Sequence, residues 1–317
     1  MVSFLIRRVF GMIIVLLAVS FLTYLIFFKI PGGDPAQRIA GRTATNANIA
    51  SIKAKLGLNH NFIVQWYDMV KQLVTGNLVS YYDGTNVVSQ IKQGIPATFS
   101  LCIGAAVIWL FFGILVGTIS AVYAGRFSDR AITALALIGI SLPVAWLGLI
   151  LRYVFAEGGL TTIFPDGGYV PLTSDPAQWF WHMLLPWFTL AVLFIGFYGR
   201  VLRSNILDTI NEDFVRTARA KGLSSRRILV KHVLRASLIP IVTLFGLDFA
   251  AVLGGGAIIT ETVFVLHGVG YYAYQAIQKQ DLPPLMGVTL YGAAFIVVFS
   301  TLVDVAYAYL DPRIRLT

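Results

Sequence analysis

The sequence predicts an all-α integral membrane protein with six transmembrane helices and a small external helical subdomain after the first helix. Of the 317 residues, 57% are hydrophobic and only 12% are charged, whereas soluble domains usually carry about 25% charged residues. A helix that crosses a bilayer needs about 20 mainly apolar residues. Six stretches meet this requirement: residues 9–30, 98–124, 131–155, 179–200, 238–262 and 287–310.

The first apolar stretch follows Arg7 and Arg8 and covers residues 9–28. A cleaved signal peptide has an apolar region of only about 7–15 residues and ends at an Ala-x-Ala-like site. This stretch is longer and lacks such a site. We therefore expect residues 1–30 to contain a retained transmembrane helix.

The connections between the spans differ in charge, and this difference predicts the orientation. Residues 200–236 are rich in Lys and Arg, whereas residues 156–180 contain neither and carry acidic residues. Because cytoplasmic loops carry the excess of Lys and Arg, we expect residues 200–236 inside and residues 156–180 outside. Six spans then place both termini in the cytoplasm. The net charge of +9 has the same explanation, so we expect no nucleic-acid partner.

The segment between the first two spans, residues 31–97, is predicted to form the external subdomain. It opens with the turn sequence "PGGDP". The sequences "NIASIKAKLG" and "NFIVQWYDMVKQLVTG" follow and predict two amphipathic helices, each closed by a glycine. "VVSQIKQGIP" predicts a third short helix that lies on the membrane. Residues 98–317 then form the core domain with the other five spans.

The sequence lacks the motifs of the common enzyme classes. The dipeptide Gly-Lys does not occur, so the ATP-binding motif G-x-x-x-x-G-K-[ST] is absent. The four histidines are scattered without the spacing of a metal site, and a G-x-S-x-G nucleophile turn is missing. The lone cysteine, Cys102, lies in an apolar run and is predicted to be a small buried residue. We expect a chain without catalytic residues, metal or cofactor.

The most charged stretch, residues 212–240, predicts two helices with a break between them. Asn211 is placed to cap the first helix, Gly222 to end it, and Ser224 to cap the second. Helices shorter than about 12–15 residues are marginal in water without a partner. The small first helix is therefore predicted to dock into a protein groove, with contact to anionic lipid as the alternative. Its apolar positions form one narrow face: Phe214, Val215, Ala218 and Gly222.

The same stretch resembles the cytoplasmic "EAA" loop of ATP-binding-cassette importer permeases, in which a short helix and a glycine precede a proline ending, here "LIP" at residues 238–240. Other pieces resemble the dipeptide/oligopeptide (and nickel) branch, in the right order over almost the whole chain. "GNLV" at residues 76–79 departs from the G-D-L-G-like turn of that family. The matching pieces are "PGGDP" after the first span, "IPATF" at 95–99, "DFVRTARAKGLS" at 213–224, "ETVF" at 261–264 and "LDPRIR" at 310–315.

The resemblance implies a type I importer permease fold in the plasma (inner) membrane of a prokaryote. It implies a second, similar permease chain, two ATPase subunits that bind ATP and Mg, and an extracytoplasmic substrate-binding protein, with dipeptides or oligopeptides as cargo. By the same resemblance, one segment is the coupling helix that contacts an ATPase: Glu212, Asp213, Phe214, Val215, Arg216, Thr217, Ala218, Arg219, Ala220, Lys221, Gly222, Leu223 and Ser224.

Four ionisable residues within the spans are candidates for the pore, because such groups are costly in a membrane. They are Asp248, Glu261, Asp304 and Arg152. Asp248 is the strongest candidate, whereas Arg152 would alternatively reach the membrane surface and Asp304 would pair with an inner basic residue. The sequence "GGG" at residues 254–256 predicts either a close helix contact or a kink.

Two alternatives stay open. The same architecture would import nickel or another small solute, although the spans contain no His or Cys cluster. A secondary transporter or channel without ATPases would show inverted repeats, which the sequence does not display, and would leave the basic loop unexplained.

Overall fold

The structure, a computed structural model, describes residues 2–29, 35–40, 45–55 and 57–310. Apart from two isolated β-bridges, the regular elements in these ranges are helical. Two π-helical turns, Leu229–Val233 and Val252–Gly256, interrupt the later helices. The helices are α1 (Val2–Lys29), α2 (Pro35–Ala40), α3 (Asn46–Lys55), α4 (Phe62–Val74), α5 (Val87–Val122), α6 (Phe127–Ser141), α7 (Val144–Phe155), α8 (Pro176–Thr209), α9 (Asp213–Ala220), α10 (Ser225–Ile228), α11 (Leu234–Ser237), α12 (Ile239–Ala251), α13 (Ile258–Val263), α14 (Val269–Lys279) and α15 (Leu282–Leu310).

Five of these helical segments are long and apolar enough to cross a membrane, and a bent pair gives a sixth span if its two halves are counted together. The five are α1, α5, α8, α15 and the segment Ile239–Gly256, which joins α12 to its π turn. The bent pair is α6 and α7, which meet at 101°. The predicted all-α membrane fold is therefore confirmed.

The span predicted over residues 131–155 is bent in the structure. The helix stops at Ser141, and a new one begins at Val144 in a different direction. Pro143 explains the break, since proline offers no backbone N–H and drives the preceding residue away from helical dihedrals. Leu142 accordingly has φ −76° and ψ 126°, which is extended backbone.

The segment between α1 and α5 contains the two predicted helices, as α3 and α4. Only α4 is amphipathic: it buries Met69, whereas the described side chains of α3 are all exposed or half-buried. The predicted third surface helix is wrong: residues 87–96 are the first turns of the 36-residue helix α5, which runs on across the membrane. Asn86 starts this helix, because its side chain accepts a hydrogen bond from the backbone N–H of Ser89. The helix thus crosses the expected boundary between residues 97 and 98.

Polar contacts attach the segment between α1 and α5 to the rest of the chain on two sides. On one side, Trp66 Nε1 of α4 donates to Ser20 Oγ of α1 at 3.1 Å. On the other, the buried carboxylate of Asp281 accepts from Ser80 Oγ at 2.5 Å and from the backbone N–H of Tyr81 at 3.1 Å. Burial of Asp281 raises the pKa of its carboxyl group above the ordinary value.

Helix α8 packs closely against both α5 and α6 because glycines leave room for the neighbouring backbone. A Cβ atom at Gly117 of α5 would lie only 2.7 Å from the carbonyl oxygen of Gly199 in α8. A Cβ atom at Gly196 would lie 2.5 Å from the carbonyl oxygen of Ala136 in α6. Small residues allow this approach of helices within a membrane, so α5, α6 and α8 form one packed group.

The glycine run at residues 254–256 produces both a close contact and a kink. Gly255 has φ 146°, which breaks the helix between α12 and α13. Gly254 touches α15, since a Cβ atom at Gly292 would lie 2.1 Å from the Gly254 carbonyl oxygen. Both of the structures that the sequence "GGG" predicted are therefore present.

We predict that Gly292→Ala lowers the free energy of unfolding by about 1–3 kcal/mol, the usual cost of overpacking. The new methyl group would overlap the backbone of Gly254, which cannot rotate away as a side chain would. The measurement is the melting temperature of the purified chain in detergent. Gly11→Ala is the matched control, because a Cβ atom there meets nothing within 4 Å. Equal melting temperatures for the two variants would contradict the contact.

Candidate functional site

The basic loop between α8 and α12 contains the short helix α9, as the sequence predicted. Its N-terminal cap position is Glu212, and Asp213 lies in the first turn, where a carboxylate suits the positive end of the helix. The prediction that Asn211 caps this helix is wrong. The Asn211 amide instead donates to the carbonyl oxygen of Leu207 in the last turn of α8, at 3.1 Å.

Helix α9 ends in a Schellman motif. The N–H of Gly222 donates to the Arg219 carbonyl at 2.9 Å, and the N–H of Leu223 donates to the Ala218 carbonyl at 3.3 Å. Gly222 has φ 75°, which confirms that it ends the helix in a left-handed conformation. A Cβ atom there would meet nothing within 4 Å in this chain. The glycine is therefore required for its backbone conformation and not for contact within the chain.

The apolar face of α9 is only partly available to a partner. Val215 is fully buried and Ala218 is 6% exposed, and both belong to the apolar core that includes Ile206 and Ile228. These two residues attach α9 to its own chain, which corrects the prediction that they form a docking face. Phe214 is 46% exposed. Other exposed residues lie on the opposite face: Asp213, Arg216, Thr217 and Ala220.

Hydrogen bonds close the loop at its base, where it leaves and re-enters the spans. Ser237 Oγ at the end of α11 donates to Thr209 Oγ1 at the end of α8, at 3.1 Å. The Asn205 amide donates to the Ser237 carbonyl at 3.4 Å. Ser224 occupies the N-terminal cap position of the second helix, as predicted, but its side chain makes no capping hydrogen bond. The two spans that flank the loop are thus connected where they enter it.

A buried carboxylate near this base was not identified from the sequence. Asp129, in the first turn of α6, is 4% exposed. It accepts two hydrogen bonds from Arg203 of α8, from Nε at 2.8 Å and Nη2 at 2.7 Å. It also accepts from the N–H of Gly125 at 2.8 Å and from the hydroxyl of Ser120 in α5. The available signal was one acidic residue within a basic turn, between Arg126 and Arg130.

Glu261, a pore candidate, is fully buried and caps a helix. Its Oε2 accepts from the backbone N–H of Tyr271, in the first turn of α14, at 2.9 Å. Its Oε1 accepts from Thr98 Oγ1 of α5 at 2.7 Å, and that hydroxyl in turn accepts from the N–H of Val269 at 2.9 Å. The carboxylate therefore satisfies amide groups that the start of a helix leaves without partners.

Arg152, the second pore candidate, binds two segments of its own chain. Its guanidinium group forms a two-bond ion pair with Asp166, from Nε at 2.8 Å and Nη2 at 2.9 Å. Its Nη1 also donates to the carbonyl oxygen of Val263 at the end of α13, at 2.6 Å. Hydrogen bonds from Arg152 lower the pKa of the Asp166 carboxyl in the 156–175 loop. The arginine thus connects that loop to the end of α13.

Of the other two pore candidates, Asp248 and Asp304, only Asp248 has its side chain among the described residues. Asp248, in α12, is half-buried and accepts a hydrogen bond from the Tyr198 hydroxyl of α8 at 2.8 Å. The Tyr198 ring lies 6.4 Å from Trp109 between ring centres. Asp304 belongs to α15, but its side chain lies outside the described residues. Among the described residues, no hydrogen bond joins Asp248, Glu261 and Arg152 to one another.

Within the same described part of the chain, no three His, Cys, Asp or Glu residues are grouped as a metal site. The lone cysteine, Cys102, is buried in α5, as predicted.

We predict that Glu261→Ala destabilises the start of α14. Loss of a buried acceptor costs about 1–3 kcal/mol, so amide hydrogen exchange at Val269–Tyr271 should accelerate by about tenfold to a hundredfold. The exchange rate of Glu261→Gln should lie between those of the parent chain and Glu261→Ala, because its amide oxygen still accepts one hydrogen bond. Exchange is measured by mass spectrometry in detergent, with the exposed Glu157→Ala as control. Equal exchange rates in all variants would show that Glu261 does not cap α14.

Comparison with known proteins gives matches over nearly the whole chain. The family "Binding-protein-dependent transport system inner membrane component" matches residues 113–316, and the corresponding N-terminal family matches residues 1–102. A probable peptide ABC transporter permease of Sinorhizobium fredii is 36% identical, over 98% of this chain and 99% of the relative. A probable D,D-dipeptide transport system permease of Escherichia coli is 35% identical, over 98% and 97%. A dipeptide transport system permease of Alkalihalophilus pseudofirmus is 32% identical, over 99% and 100%.

Proposed function

Because the chain belongs to the family of binding-protein-dependent transport system inner membrane components, we propose that it is the pore-forming permease subunit of an ATP-driven peptide importer. The observation that carries the proposal is similarity over almost the full length of permeases whose names specify peptides or dipeptides. The spans described above agree with this role. Relatives named for peptides favour a peptide cargo over nickel or another small solute.

The proposed transporter contains more than this chain. A second, similar permease completes the pore, and two ATPase subunits on the cytoplasmic side bind ATP and Mg. A substrate-binding protein delivers the peptide from outside. The basic loop, with α9, then faces the cytoplasm together with both termini, and the external helices α3 and α4 face the binding protein. The absence of the dipeptide Gly-Lys from the sequence supports the assignment of ATP hydrolysis to partner subunits.

Helix α9 is proposed to couple the ATPases to the spans. Its exposed residues, Phe214 and the face centred on Ala220, would contact an ATPase, while Val215 and Ala218 hold the helix to its own chain. Because the base of the loop is closed by Ser237, a displacement of α9 would move α8 and α12 together. These two helices belong to spans that must rearrange for the pore to open on the other side of the membrane.

Among the four pore candidates, Asp248 is the one proposed to face the peptide path. Its side chain is half-buried, and the Tyr198 hydroxyl is its one hydrogen-bond partner among the described residues, bound at Oδ2. The other carboxylate oxygen, Oδ1, would accept from a peptide amino group. Glu261 and Arg152 are instead engaged in several hydrogen bonds to their own chain. The role of Asp304 stays a prediction.

We predict that Ala220→Glu reduces co-purification of the ATPase subunits by at least about tenfold, a loss of roughly 1.4 kcal/mol or more in binding. Ala220 is exposed, so the variant should fold, yet the larger charged side chain would occupy the space of a docked partner. The control is Ala177→Glu, the same change at an exposed position in the first turn of α8, on the expected outer side. Ala218→Glu is unsuitable because Ala218 is buried and the variant would disturb the fold.

The chain would be extracted in mild detergent from its native membrane, and the co-purifying subunits would be identified and assayed for ATP hydrolysis. Recovery of the same ATPases with Ala220→Glu, at the parent level, would contradict docking through this face. A parent chain that purifies without any ATPase would contradict the importer itself and support a channel or secondary transporter.

We also predict that deletion of the chain in its native host lowers uptake of labelled alanyl-alanine by about tenfold or more, with recovery on re-expression. The reason is that the pore cannot form without one of its two permease chains. Uptake of labelled Ni²⁺ is measured in parallel. Loss of Ni²⁺ uptake with unchanged dipeptide uptake would replace the peptide assignment by the metal alternative.

A further inference from the structure

The group formed by Ser120, Gly125, Asp129 and Arg203, which we call the inner clamp, connects three helices at one end of the spans. Asp129 is the first-turn residue of α6, Ser120 lies near the end of α5, and Arg203 lies near the end of α8. All contacts converge on one carboxylate that is 4% exposed. The clamp therefore holds the ends of α5, α6 and α8 at a single point.

The bonding within the clamp is specific in geometry. The two N–H groups of Arg203 donate to the two different oxygens of Asp129, at 2.8 Å to Oδ1 and 2.7 Å to Oδ2. Such two-bond pairs fix the relative orientation of both side chains as well as their distance. Ser120 and the N–H of Gly125 occupy further acceptor positions of the carboxylate. A lysine at residue 203 would supply the charge but not this planar pair of donors.

Along α8, the clamp lies closer to the basic loop than the glycine contact between α8 and α6. Arg203 lies six residues before Thr209, the last residue of α8, which is about 9 Å at 1.5 Å per residue. The close contact of α8 with α6 at Gly196 lies about 10 Å further from the loop, by the same rise. Of these two connections between α8 and α6, the clamp is the one nearer to the loop. A displacement that enters through α9 would thus reach α6 first at the clamp.

We propose that Arg203 and Asp129 are positioning residues that transmit displacement of α9, through α8, to α5 and α6. The inference rests on the proposed coupling role of α9 and adds the route by which the movement reaches the other spans. With the clamp intact, the ends of α6 and α8 move as one body. Without it, α8 follows the ATPases while α6 lags behind, and ATP hydrolysis is separated from transport.

The test uses the complete transporter, purified with its own partner subunits and placed in lipid nanodiscs. Spin labels are attached at Phe127→Cys, the exposed first residue of α6, and at Asp208→Cys, exposed in the last turn of α8. The background carries Cys102→Ala, which removes the lone native cysteine. The distance distribution between the labels is measured without nucleotide and with ATP plus vanadate. ATP hydrolysis and uptake of labelled alanyl-alanine are measured in vesicles without the labels.

With Arg203 present, one distance distribution should persist in both nucleotide states. Arg203→Gln should broaden or shift the distribution when ATP and vanadate are added. The same variant should retain ATP hydrolysis within about twofold while uptake per ATP falls by about tenfold. Arg203→Lys should give values between those of the parent chain and Arg203→Gln, because it keeps the charge but not the planar pair of donors. The control is Lys279→Gln, which breaks an ion pair that does not belong to the clamp, between Lys279 Nζ and Asp83 Oδ2 at 2.7 Å. This variant should change neither the distance distribution nor the uptake per ATP.

Parent-like distances for Arg203→Gln in both nucleotide states would overturn the inference. So would a parallel fall of hydrolysis and uptake in proportion to the amount of assembled complex, since that describes a residue needed only for folding. If Arg203→Gln does not assemble, Arg203→Lys decides by the same distance measurement: nucleotide-dependent broadening supports the route and a parent-like distribution overturns it. A parent chain that recruits no ATPase would overturn the proposed function first, and that result is visible before any distance is measured.

Discussion

The close packing of α8 against α5 and α6 is the contact on which the rest of the structure depends. It is possible only because glycines such as Gly117 and Gly196 let backbones approach to distances that any side chain would block. In a membrane, apolar burial does little to drive helices together, so such packing and interhelical hydrogen bonds must do so. The same helix then carries Tyr198 toward Asp248 and Arg203 toward Asp129 before it continues into the basic loop. One tightly packed helix thus orders both the interior polar contacts and the loop.

Two of the ionisable residues satisfy backbone groups at the ends of short helices. The ends of a helix leave N–H or C=O groups without intrahelical partners, and such groups are costly when they are buried. The end of α13 gives its Val263 carbonyl to Arg152, and the start of α14 gives its Tyr271 N–H to Glu261. These two charged groups therefore have a structural reason for their positions. The Asp248 carboxylate instead accepts from a side chain, the Tyr198 hydroxyl, and this difference distinguishes it among the candidates.

Much of this fold follows from local properties of the sequence. Hydropathy and length predict the spans, and the left-handed preference of glycine predicts the end of α9 at Gly222. The failures share a different cause, because they depend on partners distant in the chain. The burial of Val215 is decided by packing against the chain's own core, and the Asp129–Arg203 pair joins residues 74 positions apart. The bend at Pro143 follows from proline chemistry, but hydropathy alone counts the apolar run around it as one span and does not give the angle between its halves.

The two faces of α9 agree with the coupling role proposed for this short helix. Eight residues are too few for a stable isolated helix in water, so α9 requires tertiary contacts. Val215 and Ala218 supply them from within the chain, which means that the helix is already formed before any partner binds. A preformed helix loses less conformational freedom on docking than a disordered segment would. Because the same two residues join α9 to the core that includes residues of α8, a force on the exposed face would act on the spans and would not be absorbed by a flexible loop.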